Sequence, residues 1–239
     1  MRYLGGKARL RDQIAPIINS IDASIYLEPF CGACWVGEKV TIKHRIFSDA
    51  NKYLIAMWQA LQKGWEPPKE CCELEYQMIR DDTSDEALHG FIAFACSFGG
   101  KWWGGYARHY KGEVSPKYCE YGHNSIIKRK DNFKGAAFVA SRYTKMLQKS
   151  MKLVSPIVMY LDPPYEQTTS YAGLPPFNTQ RFWQNVRTVS KRHYVITSGY
   201  EAPEDFKVVR EFHPKTGMNL GRMEKIFASG LILEDYNFD

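Results

Sequence analysis

Apolar residues along the chain switch between two periods, and each switch marks an element. Leu10, Ile14, Ile17 and Ile18 recur at helical spacing, which predicts a helix near the start. Ser24–Glu28 is a short apolar run closed by Pro29 and a glycine-containing turn, the pattern of a buried strand. A second helix is expected from about Ala33. His44–Ser48 reads as the next strand, ending at Asp49. Leu54, Ile55, Trp58 and Leu61 then place a helix over Asn51–Gln62, stopped by Gly64 and Pro67-Pro68.

The alternation breaks at about residue 65. Acidic pairs are followed by a Gly- and aromatic-rich stretch, Phe98–Tyr106, and then by basic polar sequence. Strand and helix return at Ile157–Leu161, Thr179–Ser190 and Tyr194–Thr197. Lys225–Ser229 and Leu231–Leu233 read as a terminal hairpin. The pattern predicts a parallel-rich α/β sheet, from residues 1–64 and 150–239, interrupted by an insertion over residues 65–149.

Composition sharpens this picture. The 239 residues are 44% hydrophobic, enough for a core. They contain no apolar run of membrane-spanning length, and the basic start MRYLGGKARL lacks the apolar stretch of a signal peptide. A cytoplasmic protein without a membrane partner is expected. The six cysteines are scattered and read as free thiols. Residues 101–152 hold twelve Lys or Arg against three acidic residues, a net +9, while the whole chain is +6 and the remainder therefore −3. A basic block on a nearly neutral body is the footprint of a phosphate-binding face.

The most specific chemistry lies in Asp162-Pro163-Pro164-Tyr165, directly after the strand Ile157–Leu161. Doubly wound sheets place ligands at the carboxyl ends of their strands. An exocyclic amine on a nucleobase is a poor nucleophile because its lone pair is delocalised into the ring. Two fixed acceptors on its hydrogens draw the nitrogen towards a tetrahedral geometry and release that pair. Asp162 supplies one acceptor, the Pro163 carbonyl the other, and consecutive prolines fix the backbone. Tyr165 offers a flat face to a base extruded from its helix.

This tetrapeptide resembles the catalytic motif of amino-methyltransferases acting on DNA bases. The chain is similar, over most of residues 1–62 and 157–230, to the Dam-like adenine-N6 DNA methyltransferases of bacteria and phages. Tyr3-Leu4-Gly5-Gly6-Lys7 resembles that family's N-terminal cofactor motif, which implies Tyr3 against the cofactor and Lys7 on its methionine carboxylate. Glu28-Pro29-Phe30-Cys31-Gly32 resembles its cofactor loop, Glu-Pro-Phe-x-Gly-x-Gly, but Cys34 stands at the second glycine. Asp49 and Asn51 match its Asp-x-Asn, and Asp49 lies at the end of the second strand, where an acid takes ribose hydroxyls. The helix N-cap is the competing use of Asp49. Tyr171 and Phe177–Trp183 resemble the segment covering the target base, and Arg222–Phe227 the last strand.

The resemblance implies a Rossmann-like S-adenosylmethionine-dependent methyltransferase domain with an inserted, partly helical target-recognition domain. The expected activity is methyl transfer to adenine N6 in double-stranded DNA with base flipping, yielding S-adenosylhomocysteine. No obligate protein partner and no metal are expected. In the insertion, Lys101, Trp103, Arg108, Lys111, Lys128, Arg129 and Lys130 are the candidate DNA-binding residues, although a tryptophan-rich mini-core competes for at least one of Trp102 and Trp103. Cys31-Gly-Ala-Cys34 is a CxxC without a matching second pair, so zinc or redox chemistry is disfavoured. No histidine has Glu two residues later, which excludes the zinc deaminase signature. An RNA or N4-cytosine methyltransferase, and a catalytically dead DNA-binding relative, are the alternatives.

Overall fold

The computed structural model describes residues 1–108, 117–164, 176–212 and 223–236. Helix α1 (Arg11–Asn19) turns its buried face, Ile14, Ala15 and Ile18, inward, as its periodicity predicts. It leads to β1 (Ile25–Glu28), whose last three residues are buried, and then to β2 (His44–Asp49) and α2 (Lys52–Gln62). Three helices follow: α3 (Glu73–Asp81), α4 (Glu86–Ala95) and α5 (Lys117–Ile127). The chain returns to the sheet through β3 (Ala137–Ala140) and α6 (Tyr143–Ser150). The wholly buried β4 (Val158–Leu161), α7 (Thr179–Ser190), β5 (Tyr194–Gly199), β6 (Lys207–Phe212), β7 (Glu224–Ala228) and α8 (Leu231–Asp235) complete it.

Seven strands form one sheet in the order β3-β2-β1-β4-β5-β7-β6. The pairs β1–β2, β2–β3, β1–β4 and β4–β5 are parallel, and β7 runs antiparallel between β5 and β6. From β1 the chain winds outward to β2 and β3, and from β4 it winds the other way. The direction reverses between β1 and β4, which opens a crevice at their carboxyl ends, where open α/β sheets bind ligands. Glu28 and Asp162 stand on its two sides.

Three expectations are corrected. The helix expected from Ala33 is absent. Residues 31–36 form turns, followed by one short 3-10 turn at Gly37–Lys39, because Cys34 takes a left-handed φ of 53° that an α-helix cannot contain. The terminal hairpin is not formed either. Its first half, β7, pairs with β5 and with β6, and Leu231–Asp235 is helical. β3 and α6 fall within the stretch read as insertion, yet β3 pairs along β2 from Ile46 to Asp49 and belongs to the sheet. Only four residues long, with exposed Ala at both ends, β3 offers too little pattern to be recognised.

The helical insertion docks on the sheet domain chiefly through α4 against α2. Gly90 makes that approach possible, since a Cβ there would run into the Tyr53 carbonyl. Trp102 and Trp103 close this seam. Trp103 donates its indole N–H to His89 Nε2 at 3.1 Å and meets Tyr76 edge-on, and Trp102 stacks with Tyr53. Both tryptophans therefore serve the mini-core.

Candidate active site

The loop Glu28–Gly32, expected to hold the cofactor, is built by three anchors. Gly32, with φ +48°, donates its backbone N–H to Asp49 Oδ2 at 3.1 Å. Trp58 on α2 donates its indole N–H to the Gly32 carbonyl at 3.2 Å, and the Cys31 N–H reaches the Ser48 carbonyl at 3.0 Å. The other Asp49 oxygen accepts the Asn51 N–H at 2.9 Å. Asn51, not Asp49, caps α2, accepting from Tyr53 and Leu54. Asp49 is therefore free of the capping role that competed for it.

The N-terminal motif lies against this loop. The Tyr3 ring covers Gly32, where a Cβ would come within 2.8 Å of it, and Gly6 abuts the Trp35 indole. Lys7 is buried, with its ammonium 2.7 Å from Asp162 Oδ1, 3.0 Å from Glu224 Oε1 and 3.1 Å from the Gly5 carbonyl. Burial alone would lower its pKa. The charges of Asp162, Tyr160 and Glu224 outweigh that and hold it above the ordinary lysine value. Lys7 thus answers the Asp162 carboxylate directly. Glu224 on β7 completes the pair, a placement its sequence neighbourhood does not reveal.

Asp162 Oδ1 also accepts from Ser198 Oγ at 2.8 Å, and Ser198 in turn accepts from the Tyr160 hydroxyl at 3.0 Å. Tyr160 and Ser198, on adjacent strands, are site residues that sequence reasoning missed. The available signal was a polar hydroxyl inside each of two apolar strands. Asp162 has its pKa raised, first by burial and further by Glu224, against the opposing pull of Lys7 and Ser198. Burial lifts Glu28 to about 8 despite a 2.9 Å hydrogen bond from Tyr26, and lifts Asp49 to about 6 despite the N–H groups of Asn51, Gly32 and Ala50. Three carboxyl groups thus stand at the tips of β1, β2 and β4, Glu28 and Asp49 buried and Asp162 partly so, and of these Lys7 pairs with Asp162.

That donor set fits S-adenosylmethionine. The molecule brings an ammonium, a sulfonium and a ribose diol, which suit buried carboxylates that desolvation has left short of positive charge. Glu28, Asp49 and the Gly32 turn are placed to hold it, and Pro29 is buried beneath them. Phe30 instead turns to the α6–α7 side, stacked on Tyr143 at 5.0 Å between ring centroids and edge-on to Phe177 and Phe182. Gly5, with φ +77°, leaves open space above it.

Pro163 and Pro164 follow Asp162 partly exposed, while Tyr165, Tyr171, Arg222 and Lys111 lie outside the described residues. The Cys31 and Cys34 thiols are buried and pushed up in pKa by that burial. With no α-helix starting behind them, they lack the field that activates a redox CxxC. No group of His, Cys, Asp and Glu among the described residues is arranged to hold a metal.

The candidate DNA contacts divide. Lys101, Arg108 and Lys128 are exposed, with Arg108 paired to Glu73. Lys130 is half-buried, 3.2 Å from Glu66. Two of them do not face solvent as a contact requires. Trp103 is committed to His89 and Tyr76. Arg129 is buried, its guanidinium ion-paired with Glu38 and bonded to the Ala33 and Cys34 carbonyls. A buried guanidinium with these partners is not available to a phosphate.

The sheet order with its single reversed strand is that of a Rossmann-like methyltransferase fold, and the carboxylates at the β1, β2 and β4 tips suit S-adenosylmethionine as its cofactor. Residues 3–84 match the family model of the D12 class N6 adenine-specific DNA methyltransferases, which bears out the Dam-like resemblance. No curated protein matches the chain. Among solved structures, the rRNA methyltransferase aviRa from Streptomyces viridochromogenes is similar at a TM-score of 0.43 and 14% identity, covering 96% of this chain and 86% of that one. SMU.1697c from Streptococcus mutans, solved in complex with SAH, is similar at 0.41 and 7%, covering 91% and 96%. At these values the two likenesses carry no weight on substrate. No helix among the described residues is long and apolar enough to cross a membrane.

Proposed function

We propose that this methyltransferase modifies the exocyclic N6 of adenine in double-stranded DNA, acting on a base flipped out of the duplex. The observation that carries the reading is the placement of Asp162. It stands at the β4 tip beside the switch point, with Oδ1 fixed by Lys7 and Ser198. The family match over residues 3–84 supports the choice of adenine and of DNA.

S-adenosylmethionine, when bound, supplies an activated methyl on its sulfonium. The work left to this chain is alignment and proton handling. The Asp162 carboxylate and the Pro163 carbonyl accept the two amine hydrogens and localise the nitrogen lone pair towards the donor. Lys7 and Ser198 hold the carboxylate in place while that happens. An amine nitrogen that has taken the methyl group would have one proton to shed. Asp162, whose affinity for protons burial has raised, receives it. Tyr165 is assigned to stacking on the flipped base. Lys101, Arg108, Lys111, Lys128 and Lys130 are assigned to the DNA backbone, with Lys130 reached by release from Glu66.

The test is transfer of labelled methyl from S-adenosylmethionine to unmethylated duplex DNA, with tRNA in parallel and the product nucleosides separated. Label in N6-methyladenine from DNA alone is expected. Label in N4-methylcytosine, or in RNA only, overturns the choice of acceptor. Label in neither points to a decayed centre.

A further inference from the structure

Cys34 occupies the second glycine position of the cofactor loop, and it does so in the conformation a glycine would take, with φ +53°. A residue bearing a Cβ resists that region. Among the described residues only Trp103 shares this condition, so the turn requires an outside restraint.

The restraint is visible. Arg129, just past the end of α5, lies buried against the loop. Its Nη2 donates to the Ala33 carbonyl at 2.8 Å and to the Cys34 carbonyl at 3.0 Å, one on each side of the strained residue's peptide N–H. Its Nε pairs with Glu38, and its guanidinium carbon lies 3.7 Å from the centre of the Trp35 ring. Arg11 from α1 approaches the same indole at 5.1 Å and pairs with the other oxygen of Glu38. Trp35, stacked in this way, is also the surface against which Gly6 packs. One guanidinium therefore links the cofactor loop, the N-terminal Gly-Gly-Lys segment and the end of the helical insertion.

We infer that Arg129 is a positioning residue for the methyl donor, holding the Ala33–Cys34 turn in the glycine-like shape that its own sequence disfavours. Glycine at position 34 needs no such clamp. With cysteine there, the clamp keeps the loop open to the ligand. The inference rests on residues 28–34 being the cofactor loop, and not on which base receives the methyl group.

The experiment is calorimetric titration of S-adenosylhomocysteine into the full chain and into Arg129→Lys, Cys34→Gly and the double variant, with the thermal midpoint of each. Lysine keeps a cation beside Glu38 but lacks the fork that reaches two carbonyls, which protects the fold. Arg129→Lys is expected to bind at least tenfold more weakly than the unaltered chain, and Cys34→Gly is the reference for the double variant. The double variant is expected to recover to within threefold of that reference, although its midpoint stays as low as that of Arg129→Lys. That recovery without regained stability separates positioning from general support. Undiminished binding by Arg129→Lys, or a double variant as weak as Arg129→Lys, overturns the inference. Failure of the unaltered chain to bind overturns the cofactor-loop assignment with it.

Discussion

Replacing Asp162 by Asn keeps the side chain's shape and removes its charge, so it tests catalysis and the buried ion pair together. Lys7 lies 2.7 Å from Asp162 and 3.0 Å from Glu224, in a pocket that leaves it 6% exposed. At an effective dielectric near 20, a pair at that separation interacts by about 6 kcal/mol before desolvation is counted. Removing one partner of a buried pair costs about 3–5 kcal/mol when nothing else answers the remaining charge. Here Glu224 still answers it, so the expected loss is about 2 kcal/mol. For a chain of this length that lowers the thermal midpoint by roughly 4–8 °C. Catalysis is expected to suffer more. Losing a fixed charge aimed at a reacting group costs about 10²–10³ in turnover, and Asn directs an amide N–H₂ where an acceptor is required. The assay is initial rate of labelled methyl transfer at saturating donor, beside a thermal melt of the same preparation. Turnover within tenfold of the unaltered chain refutes Asp162 as the acceptor. An unchanged midpoint refutes the ion-pair reading of Lys7.

The apo protein's stability is expected to fall as pH rises. Glu28 moves from 4.5 to about 8 on folding and Asp49 from 3.8 to about 6, so the folded chain retains protons that the unfolded chain releases between pH 4 and 8. Each tenfold change in proton affinity is worth about 1.4 kcal/mol, so Glu28 alone accounts for a few kcal/mol over that window. Glu28→Gln is expected to flatten most of the decline in a melt series from pH 4.5 to 8.5, and a slope it leaves intact counts against buried Glu28 as the cause. For the nucleic-acid face, Lys101→Gln combined with Lys128→Gln is expected to reduce the slope of log affinity for duplex DNA against log salt by about 2, measured by fluorescence anisotropy. An unchanged slope removes both lysines from the interface.

The elements with strong period were legible from the chain. The helix at Leu54–Leu61, the strands at Ile157–Leu161 and Tyr194–Thr197, and the helix at Thr179–Ser190 all stand where their apolar pattern puts them. Asp162 and Asp49 were legible for the same reason, since each closes a strand whose direction in the sheet fixes where its carboxylate lies. The basic block over residues 101–152 was visible as charge, but sequence does not say which basic side chains remain in solvent. Arg129 and Lys128 are neighbours with the same charge, one buried on Glu38 and the other exposed.

What the sequence determined by itself is therefore local: periodicity, the Asp-Pro-Pro-Tyr tetrapeptide at a strand end, the glycine turns and the charge of the insertion. The tertiary structure decided every contact between distant segments. Lys7 meets Glu224 across 217 positions, Tyr160 reaches Asp162 through Ser198 on the neighbouring strand, and Arg129 braces a loop 95 residues earlier in the chain. Such contacts leave no local pattern, because a buried charge or hydroxyl is shaped by the partner that satisfies it and not by its neighbours in sequence. Cys34 shows the same division. The chain shows a cysteine where the loop it resembles has a glycine, and only the fold shows the guanidinium that holds it in a glycine-like conformation.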